Sequence, residues 1–484
     1  MTIRVRYAPS PTGFQHLGGA RTALLNYLFA RSHNGVFILR IEDTDTARCE
    51  ERYVDDLYSS LEWLGIRADE QGNEGEYAPY IQSQKKERYR EVANTLVETG
   101  TAYRCYTSSK ESGVVYNRSS RNLSKKQRKR FEEKEARGEI RSVIRLKLPL
   151  TGEKVFHDML LGTIHKKFAD MIVDPILIKS DGLPTYHLAN VVDDHDMKIS
   201  HVLRSQEWIP STPVHMYIYE VLGWKSPVFC HLSMILGEDG QKLSKRNGSL
   251  SIQELKKMGV LPEALLNYIA LLGWGYDDKR ELFSMQDLVE HFSNGTMHKN
   301  PAKFSMDKLL WFNTRYIKQL SDTELLHIVL PLLVKEYTIE NREELARTIS
   351  PLIPEIKERM EYVHDAVALL APLFTRPHVQ KSIELIDAAK YRESMEGLEC
   401  AKHVLENKTY TTTTELETVI RKVAKRNCIK LGHILMPLRI ALTGSKVSIP
   451  ILPLVFALGK EKVFERIRAL KEKLHIALEV DSGK

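Results

Sequence analysis

In the first hundred residues, short apolar segments alternate with longer helical ones, the arrangement that assembles βα units. Ile3, Val5 and Tyr7 alternate with Arg4 and Arg6, the period of a strand. Ala20, Ala23, Leu24, Tyr27 and Leu28 recur at helical spacing, which predicts a helix opening near Gly18. Val36 to Ile41 is an apolar run broken only by Arg40, as in a parallel strand buried on both faces. Asp55–Leu64 and Lys85–Glu98 read as amphipathic helices, and together these elements give a doubly wound parallel sheet. Further strands are expected over Arg141–Leu148, Ile172–Lys179, Val202–Arg204 and Val228–His231, with a helix over Ser211–Leu222. From Ser251 the pattern is helical: Ser251–Met258, Pro262–Leu272, Met285–Phe292 and Met306–Arg315. From Ser321 onward it is amphipathic helix almost throughout, with breaks at Pro351, Pro354, Pro450 and Pro453 and no internal repeat.

Between the first strand and first helix, Arg6 to Gly19 reads R-Y-A-P-S-P-T-G-F-Q-H-L-G-G. Its glycines allow a ligand to approach the backbone, and a helix start offers unpaired N–H groups that suit phosphate. His16 stands two residues before the expected start, where its ring can point at the same anion. A tight turn with an incidental histidine explains the same letters. A second motif decides between the two. Lys242-Leu243-Ser244-Lys245-Arg246 is framed by Gly237, Gly240 and Gly248, so three cations sit on a loop that can close over a triphosphate.

In this order the two motifs resemble the His-Ile-Gly-His and Lys-Met-Ser-Lys-Ser signatures of class I aminoacyl-tRNA synthetases. The longer strings S-P-T-G-F-Q-H-L-G-G, R-I-E-D-T-D, P-T-Y-H-L-A-N-V-V-D-D-H and L-G-H-I-L-M-P-L-R-I-A-L-T-G resemble the glutamyl-tRNA synthetases of bacterial type over nearly the whole chain. That resemblance implies a Rossmann-type catalytic domain over 1–100 and 191–250, split by an α+β insertion at 101–190 that grips the tRNA acceptor end. A helical stem-contact region at 251–320 and an all-helical anticodon-binding region at 321–484 complete the expected plan. The last position of the first signature is Gly19 rather than histidine, a form that glutamyl members share.

The resemblance implies ATP binding by Pro9, Ser10, Thr12, Gly13, His16, Gly18, Gly19, Lys242, Leu243, Ser244, Lys245 and Arg246, with His16, Lys242 and Lys245 catalytic. It implies glutamate binding by Arg6, Ala8, Ser10, Glu42, Tyr186, Asn190 and Arg204, and tRNA contact by Arg48 and Arg439. Thr443 and Gly444 are also family-like, although a helix ended by a glycine explains them equally. After Ile41, Thr44 or Asp45 is expected to cap a helix, with Asp55 and Asp56 further along it. Glu42 is read as a substrate contact, Asp43 and Asp45 as structural. The dense Asp193-Asp194-His195-Asp196 stretch has the composition of a metal site, or marks a strand end and helix cap. The resemblance favours the second reading.

Composition narrows the partners little. Hydrophobic residues make up 43% and charged residues 27%, as in an ordinary soluble protein. The net charge of +7 permits a polyanionic partner without requiring one. The basic residues are concentrated instead: Arg118 to Lys147 holds twelve Lys or Arg against four acidic residues. A solvated helix face explains such a run, and the resemblance implies contact with tRNA phosphate. No apolar run approaches the ~20 residues that span a bilayer, and no leader is expected before the first strand. Cys49, Cys105, Cys230, Cys400 and Cys428 are scattered and form no C-x-x-C pair, which suits a reducing cytoplasm. Some relatives hold a zinc ribbon in the insertion. Here Cys105 lacks a second nearby thiol, and Ser119 and Ser120 stand where thiols would be sought, so no structural zinc is expected.

The expected activity is ligation of L-glutamate to tRNA-Glu through a glutamyl-adenylate, with ATP and its Mg²⁺, by a monomer without membrane or obligate protein partner. Whether tRNA-Gln is also charged stays open. A paralogue glutamylating a modified base would lack the long helical half. A non-catalytic RNA-binding paralogue would show eroded signatures, and a related nucleotidyltransferase would lack the basic insertion.

Overall fold

The computed structural model describes residues 2–108, 119–171, 173–243, 250–277 and 279–482. The chain forms two compact units, Met1–Lys257 with Pro262–Phe312, and Met258–Leu261 with Asn313–Lys484.

In the first unit, β1 (Arg4–Tyr7) leads through α1 (Leu17–Ser32) to β2 (Val36–Leu39), its parallel neighbour. The helix α2 (Glu51–Trp63) then leads to the short β3 (Glu70–Gln71), parallel to β2, and α3 (Lys86–Glu98) follows. All four residues of β1 are buried, the arginines included, so its alternation does not separate core from solvent. Arg4 meets Glu70 through two hydrogen bonds of 2.9 and 2.7 Å, and Arg6 meets Asp194. The expected cap of α2 is not formed. That helix opens at Glu51, after Glu50, which makes no side-chain cap. Asp45 instead accepts from Arg48 at 2.7 Å, and Asp43 accepts from the Ser83 amide at 2.8 Å.

The chain next builds an antiparallel sheet from β4 (Ala102–Ser108) and β5 (Ile140–Leu146), separated by α4 (Lys125–Ala136). A hairpin follows, β6 (Glu153–Asp158) and β7 (Gly162–Lys167), and then β8 (Ile176–Ile178) returns to pair with β5. No residue of α4 is buried, so the heart of the basic run is a solvated helix. Its Ser124–Gln127 capping box holds the start. The hairpin has no counterpart in the hydrophobic pattern because β6 mixes Glu, Lys and His with Val and Phe, and Val155 points to solvent.

The return path runs through α5 (Tyr186–Asp196), β9 (His201–Ser205), α6 (Thr212–Val221) and β10 (Val228–Leu232). β10 is parallel to both β9 and β6, giving the order β7-β6-β10-β9. This ladder joins the first where Ser200 N–H donates to the Arg4 carbonyl at 2.9 Å. The boundary between β1 and β9 is therefore the point from which the strands continue outward in both directions, and in open α/β sheets ligands bind beyond the carboxyl ends there. The helices α7 (Ile252–Met258), α8 (Pro262–Leu271) and α9 (Met285–His291) follow, and the unit ends at Phe312, within α10 (Met306–Gln319).

The second unit is helical, from Asp322–Tyr337 with its Ser321 capping box to Lys460–Ser482. Its helix Leu431–Thr443 ends on Gly444 at φ 67°, the left-handed conformation that stops a helix. The architecture is thus the α/β doubly wound parallel sheet with an α+β insertion and an all-helical C-terminal part.

Candidate active site

A cavity of about 930 Å³ opens at the carboxyl ends of β1, β2 and β9. Pro9, Ser10, Thr12, Gly13, His16, Gly18, Gly19, Lys242 and Leu243 line it, together with Arg6, Ala8, Glu42, Tyr186, Asn190, Arg204 and Arg48. The structure thereby brings both expected ligand sets to one place, the described members of the nucleotide set beside the whole amino-acid set. Ser244, Lys245, Arg246 and Gly248 lie outside the described residues. Arg439 is not among the residues lining this cavity; it belongs to the second unit, where its Nη1 donates to the carbonyls of Ser448 (3.2 Å) and Ile449 (2.9 Å).

Helix α1 begins one residue earlier than the spacing predicts, and His16 is its N-cap. The ring Nδ1 accepts from the Gly19 amide at 3.2 Å, so a neutral His16 carries its proton on Nε2. The histidine therefore shares the helix start with any anion bound there. The tight geometry also explains Gly19. A Cβ there would stand 2.6 Å from the Tyr7 hydroxyl and 3.1 Å from the Gln15 amide, groups that hydrogen-bond each other. No histidine fits. Asp56 of α2 pins the loop by accepting from the Gln15 N–H at 2.6 Å.

The floor is a buried ionic network whose centre, Arg40, was only a break in an apolar run of the sequence. Arg40 is fully buried and donates to Asp194 at 2.6 Å and to Glu42 at 3.1 Å, with Asp193 at 3.7 Å. Burial opposes its charge, but Asp194, Asp193 and Glu42 outweigh that and raise its pKa. Arg6 Nε and Nη2 donate to Asp194 at 3.0 and 3.3 Å. Burial alone would protonate Asp194. Arg6 and Arg40 reverse that and hold its pKa below the usual value. Burial raises Glu42, against the pull of Arg40 and Arg6. Asn190 donates to the same Glu42 oxygen at 3.2 Å.

Arg204 is different. Its Nη1 donates to the Tyr186 hydroxyl at 2.9 Å and to His215 Nδ1 at 3.2 Å. Its Nη2 donates to Thr212 Oγ1 at 2.8 Å and the Trp208 carbonyl at 3.4 Å, and its Nε to His231 at 3.2 Å. Among these partners there is no carboxylate. His215 is neutral, its pKa driven well down by burial and then by Arg204, and His187 beside it is lowered to about 4 for the same reasons. Arg204 is thus 4% exposed and surrounded by uncharged acceptors. A buried cation without a counter-charge suits an arriving anion.

The side chains of the Asp/His stretch of α5 turn to different partners. Asp193 accepts from Gln82, Lys85 and Tyr89, Asp194 from Arg6 and Arg40, and Asp196 from Arg88, while His195 stacks on Trp224 at 3.8 Å. Among the described residues no group of three or more His, Cys, Asp or Glu could hold a metal ion. Thr185 precedes α5 but makes no side-chain cap. Residues that the motifs did not single out also line the cavity: Gln15, Arg21, Lys179, Glu207 and Trp208. Lys242 meets Glu207 in an ion pair at the start of the lysine loop, and Lys179 donates to the Thr44 carbonyl at 2.9 Å.

Comparison with known proteins gives the same picture. Residues 2–311 match the family of tRNA synthetases class I (E and Q), catalytic domain, and residues 323–471 match an anticodon binding domain. The chain is 44% identical to a glutamate–tRNA ligase of Borreliella burgdorferi, over 98% of this chain and 100% of that protein. It is 42% identical to that of Treponema denticola, with the same two coverages. A crystal structure of a glutamate tRNA ligase from Elizabethkingia meningosepticum in complex with its amino acid superposes with a TM-score of 0.84 at 32% identity, covering 98% of this chain and 100% of that one.

Proposed function

The chain belongs to the class I tRNA synthetases for glutamate and glutamine, and within them to the glutamate–tRNA ligases; on that footing we propose which of its groups carry each part of the reaction. The enzyme ligates glutamate to tRNA with ATP, through the glutamyl-adenylate general to its class. A glutamate α-carboxylate oxygen attacks the α-phosphorus, and the bond to pyrophosphate breaks. A hydroxyl of the terminal tRNA ribose then attacks the acyl carbon, and AMP leaves. The carboxylate is already a nucleophile, so alignment and charge stabilisation are the enzyme's main tasks.

The nucleotide sits against Pro9, Ser10, Thr12, Gly13, Gly18 and Gly19, with the triphosphate at the start of α1 beside the His16 ring. The residues fit that group: Gly18 and Gly19 line the cavity at the helix start, and the first turn of α1 carries no acidic side chain. Mg²⁺ carried on the triphosphate adds positive charge there. Lys242, Leu243, Ser244, Lys245 and Arg246 close from the other side, with Lys242 leaving Glu207 as they do so. No structural zinc is part of the proposal. Elemental analysis of the purified protein should find far less than one zinc per chain, and stoichiometric zinc lost together with activity on chelation would overturn that.

Glutamate lies between Glu42 and Arg204. Glu42 and Asn190 receive the α-ammonium, with Ala8 and Ser10 along its backbone side. Arg6, neutralised by Asp194, shapes the pocket wall, and Arg204 binds the side-chain carboxylate, which competes with Tyr186 and His215 for its Nη1 donors. The lack of a carboxylate among the described hydrogen-bond partners of Arg204 is the observation that supports this most directly. Arg204→Lys keeps the charge and loses the planar fork, so it should raise the KM for glutamate tenfold or more by the order of a charge-assisted hydrogen bond, about 1.5–3 kcal/mol, with little change for ATP. Arg204→Gln should also narrow the preference for glutamate over glutamine. Pyrophosphate exchange in the presence of tRNA measures both; an unchanged KM for glutamate in both variants removes Arg204 from the pocket.

For the tRNA we propose the acceptor end at 101–190, the stem at 251–320 and the anticodon at 321–484, with Arg48 and Arg439 as contacts. Arg48 lines the cavity edge and is exposed; for Arg439 contact requires its free Nη2 edge, since Nη1 holds the Ser448–Ile449 turn. No described helix is long and apolar enough to cross a membrane, and we place the enzyme in the cytoplasm, without an obligate protein partner. Aminoacylation of purified tRNA-Glu and tRNA-Gln, each with glutamate and glutamine, tests the function as a whole. Glutamate on tRNA-Glu is the expected product, and its absence with active protein would refute the reading.

A further inference from the structure

Behind Arg204 the sheet carries a chain of buried groups that no step above uses. His231 on β10 is the register partner of Arg204 on β9, so the two side chains leave neighbouring parallel strands on one face. On its other side β10 pairs with β6, which ends at Asp158. His231 Nδ1 lies 2.7 Å from Asp158 Oδ2, and the same oxygen accepts the His231 amide at 3.0 Å. The other oxygen, Oδ1, accepts the amides of Leu160 and Leu161 at 3.0 and 2.9 Å. Both side chains are fully buried.

We propose that His231, held by Asp158 from the inserted hairpin, is a positioning residue for glutamate selection: it aims the Arg204 guanidinium into the pocket and holds it there without neutralising it. The proposal rests on Arg204 binding the side-chain carboxylate.

The tautomer follows from the partners. A carboxylate accepting two backbone amides and a third from His231 is an anion, so Nδ1 donates to it and a neutral ring presents Nε2 as an acceptor. Nε2 receives Arg204 Nε–H at 3.2 Å and lies 3.0 Å from Thr212 Oγ1, which in turn takes the Nη2 donor at 2.8 Å. Ring and hydroxyl thus grip one edge of the guanidinium, and its Nη1 end is left toward Tyr186 and the cavity. A carboxylate in place of the imidazole would grip equally well but would cancel the charge, as Asp194 does for Arg6. With an imidazole between them, Asp158 strengthens the acceptor while standing one ring away from the arginine. Burial, opposed by the Asp158 hydrogen bond, keeps His231 below its ordinary pKa and so consistent with the neutral form.

The test uses the full chain with glutamate, ATP and tRNA. His231→Phe keeps a ring packed among Phe156 and Phe229 and removes both nitrogens; His231→Ala carries the same measurement should the larger ring not be accommodated. Either should raise the KM for glutamate about tenfold, the scale of one charge-assisted hydrogen bond, with the KM for ATP within about twofold. His231→Gln, whose amide can accept from Arg204 and donate to Asp158, should recover most of the affinity. Placed on Arg204→Lys, His231→Phe should add little, because both act through one group. Equal rises in both KM values, a loss confined to kcat, no recovery by glutamine, or full additivity on Arg204→Lys would each overturn the positioning role while Arg204 keeps its own. If Arg204→Lys and Arg204→Gln both leave the glutamate KM unchanged, the reading of Arg204 fails, and the positioning role of His231 fails with it.

Discussion

Arg40→Met should lower the stability of the first unit by about 3–5 kcal/mol and abolish charging, although Arg40 does not line the cavity. The scale comes from what is left behind. Arg40 is fully buried and sits among Asp194, Asp193 and Glu42, which are themselves buried. Methionine fills similar volume but carries no charge, so the carboxylates lose their shared cation without gaining water. Asp194 would retain Arg6 and Asp193 would retain Lys85, while Glu42 would lose its direct salt bridge and keep only Asn190 at hydrogen-bond distance. Glu42, already raised by burial, should then be raised further and attract the α-ammonium of glutamate less. Urea unfolding reports the stability change, and the double variant Arg40→Met/Asp194→Asn should recover part of it. A midpoint shift worth less than about 0.5 kcal/mol, the range of ordinary surface changes, would show that the network does not hold the floor together.

Lys245→Ala should depress adenylate formation by a factor of about 10² or more while leaving tRNA affinity nearly intact, the scale of removing one preorganised donor from a developing charge. Lys245 lies outside the described residues, so this expectation comes from K-L-S-K-R between glycines and from Lys242, at the start of that loop, on the cavity wall. The lost charge acts on the transition state, where negative charge moves onto the departing pyrophosphate, so kcat should fall more than the KM for ATP rises. Single-turnover rates within about threefold of the unaltered enzyme, about 0.7 kcal/mol of barrier, would remove Lys245 from the chemistry.

What was legible from the residues alone was local. Strand and helix periods located β1, α1, β2, α3, β9, β10 and the helical C-terminal part to within a few residues, because backbone hydrogen bonding imposes those periods on the chain itself. The loop after β1 and the lysine motif were likewise visible as strings, and the structure brings their described residues to one cavity. The hairpin β6–β7 escaped because a strand with one solvated face need not be apolar, and Glu153, Val155 and His157 of β6 share that exposed face. The start of α1 was displaced by one residue because His16 caps it with a side-chain nitrogen, an unusual acceptor for a cap.

Partner choice belonged to the tertiary structure. Asp193, Asp194, His195 and Asp196 are neighbours in sequence and look like one cluster. On a helix each successive side chain turns by about 100°, so the four face Lys85 and Tyr89, Arg6 and Arg40, Trp224, and Arg88 in turn. In the same way Arg6 and Arg204 read as two equivalent arginines at strand ends. Which one is neutralised by a carboxylate and which is left charged depends on the order of strands, since that order puts α5 against β1 and puts His231 of β10 beside Arg204. The family, the reaction and the location of the site follow from the order of residues along the chain; the charge state of the pocket follows only from which strands become neighbours, because Coulomb energy depends on distance in space and not on separation in sequence.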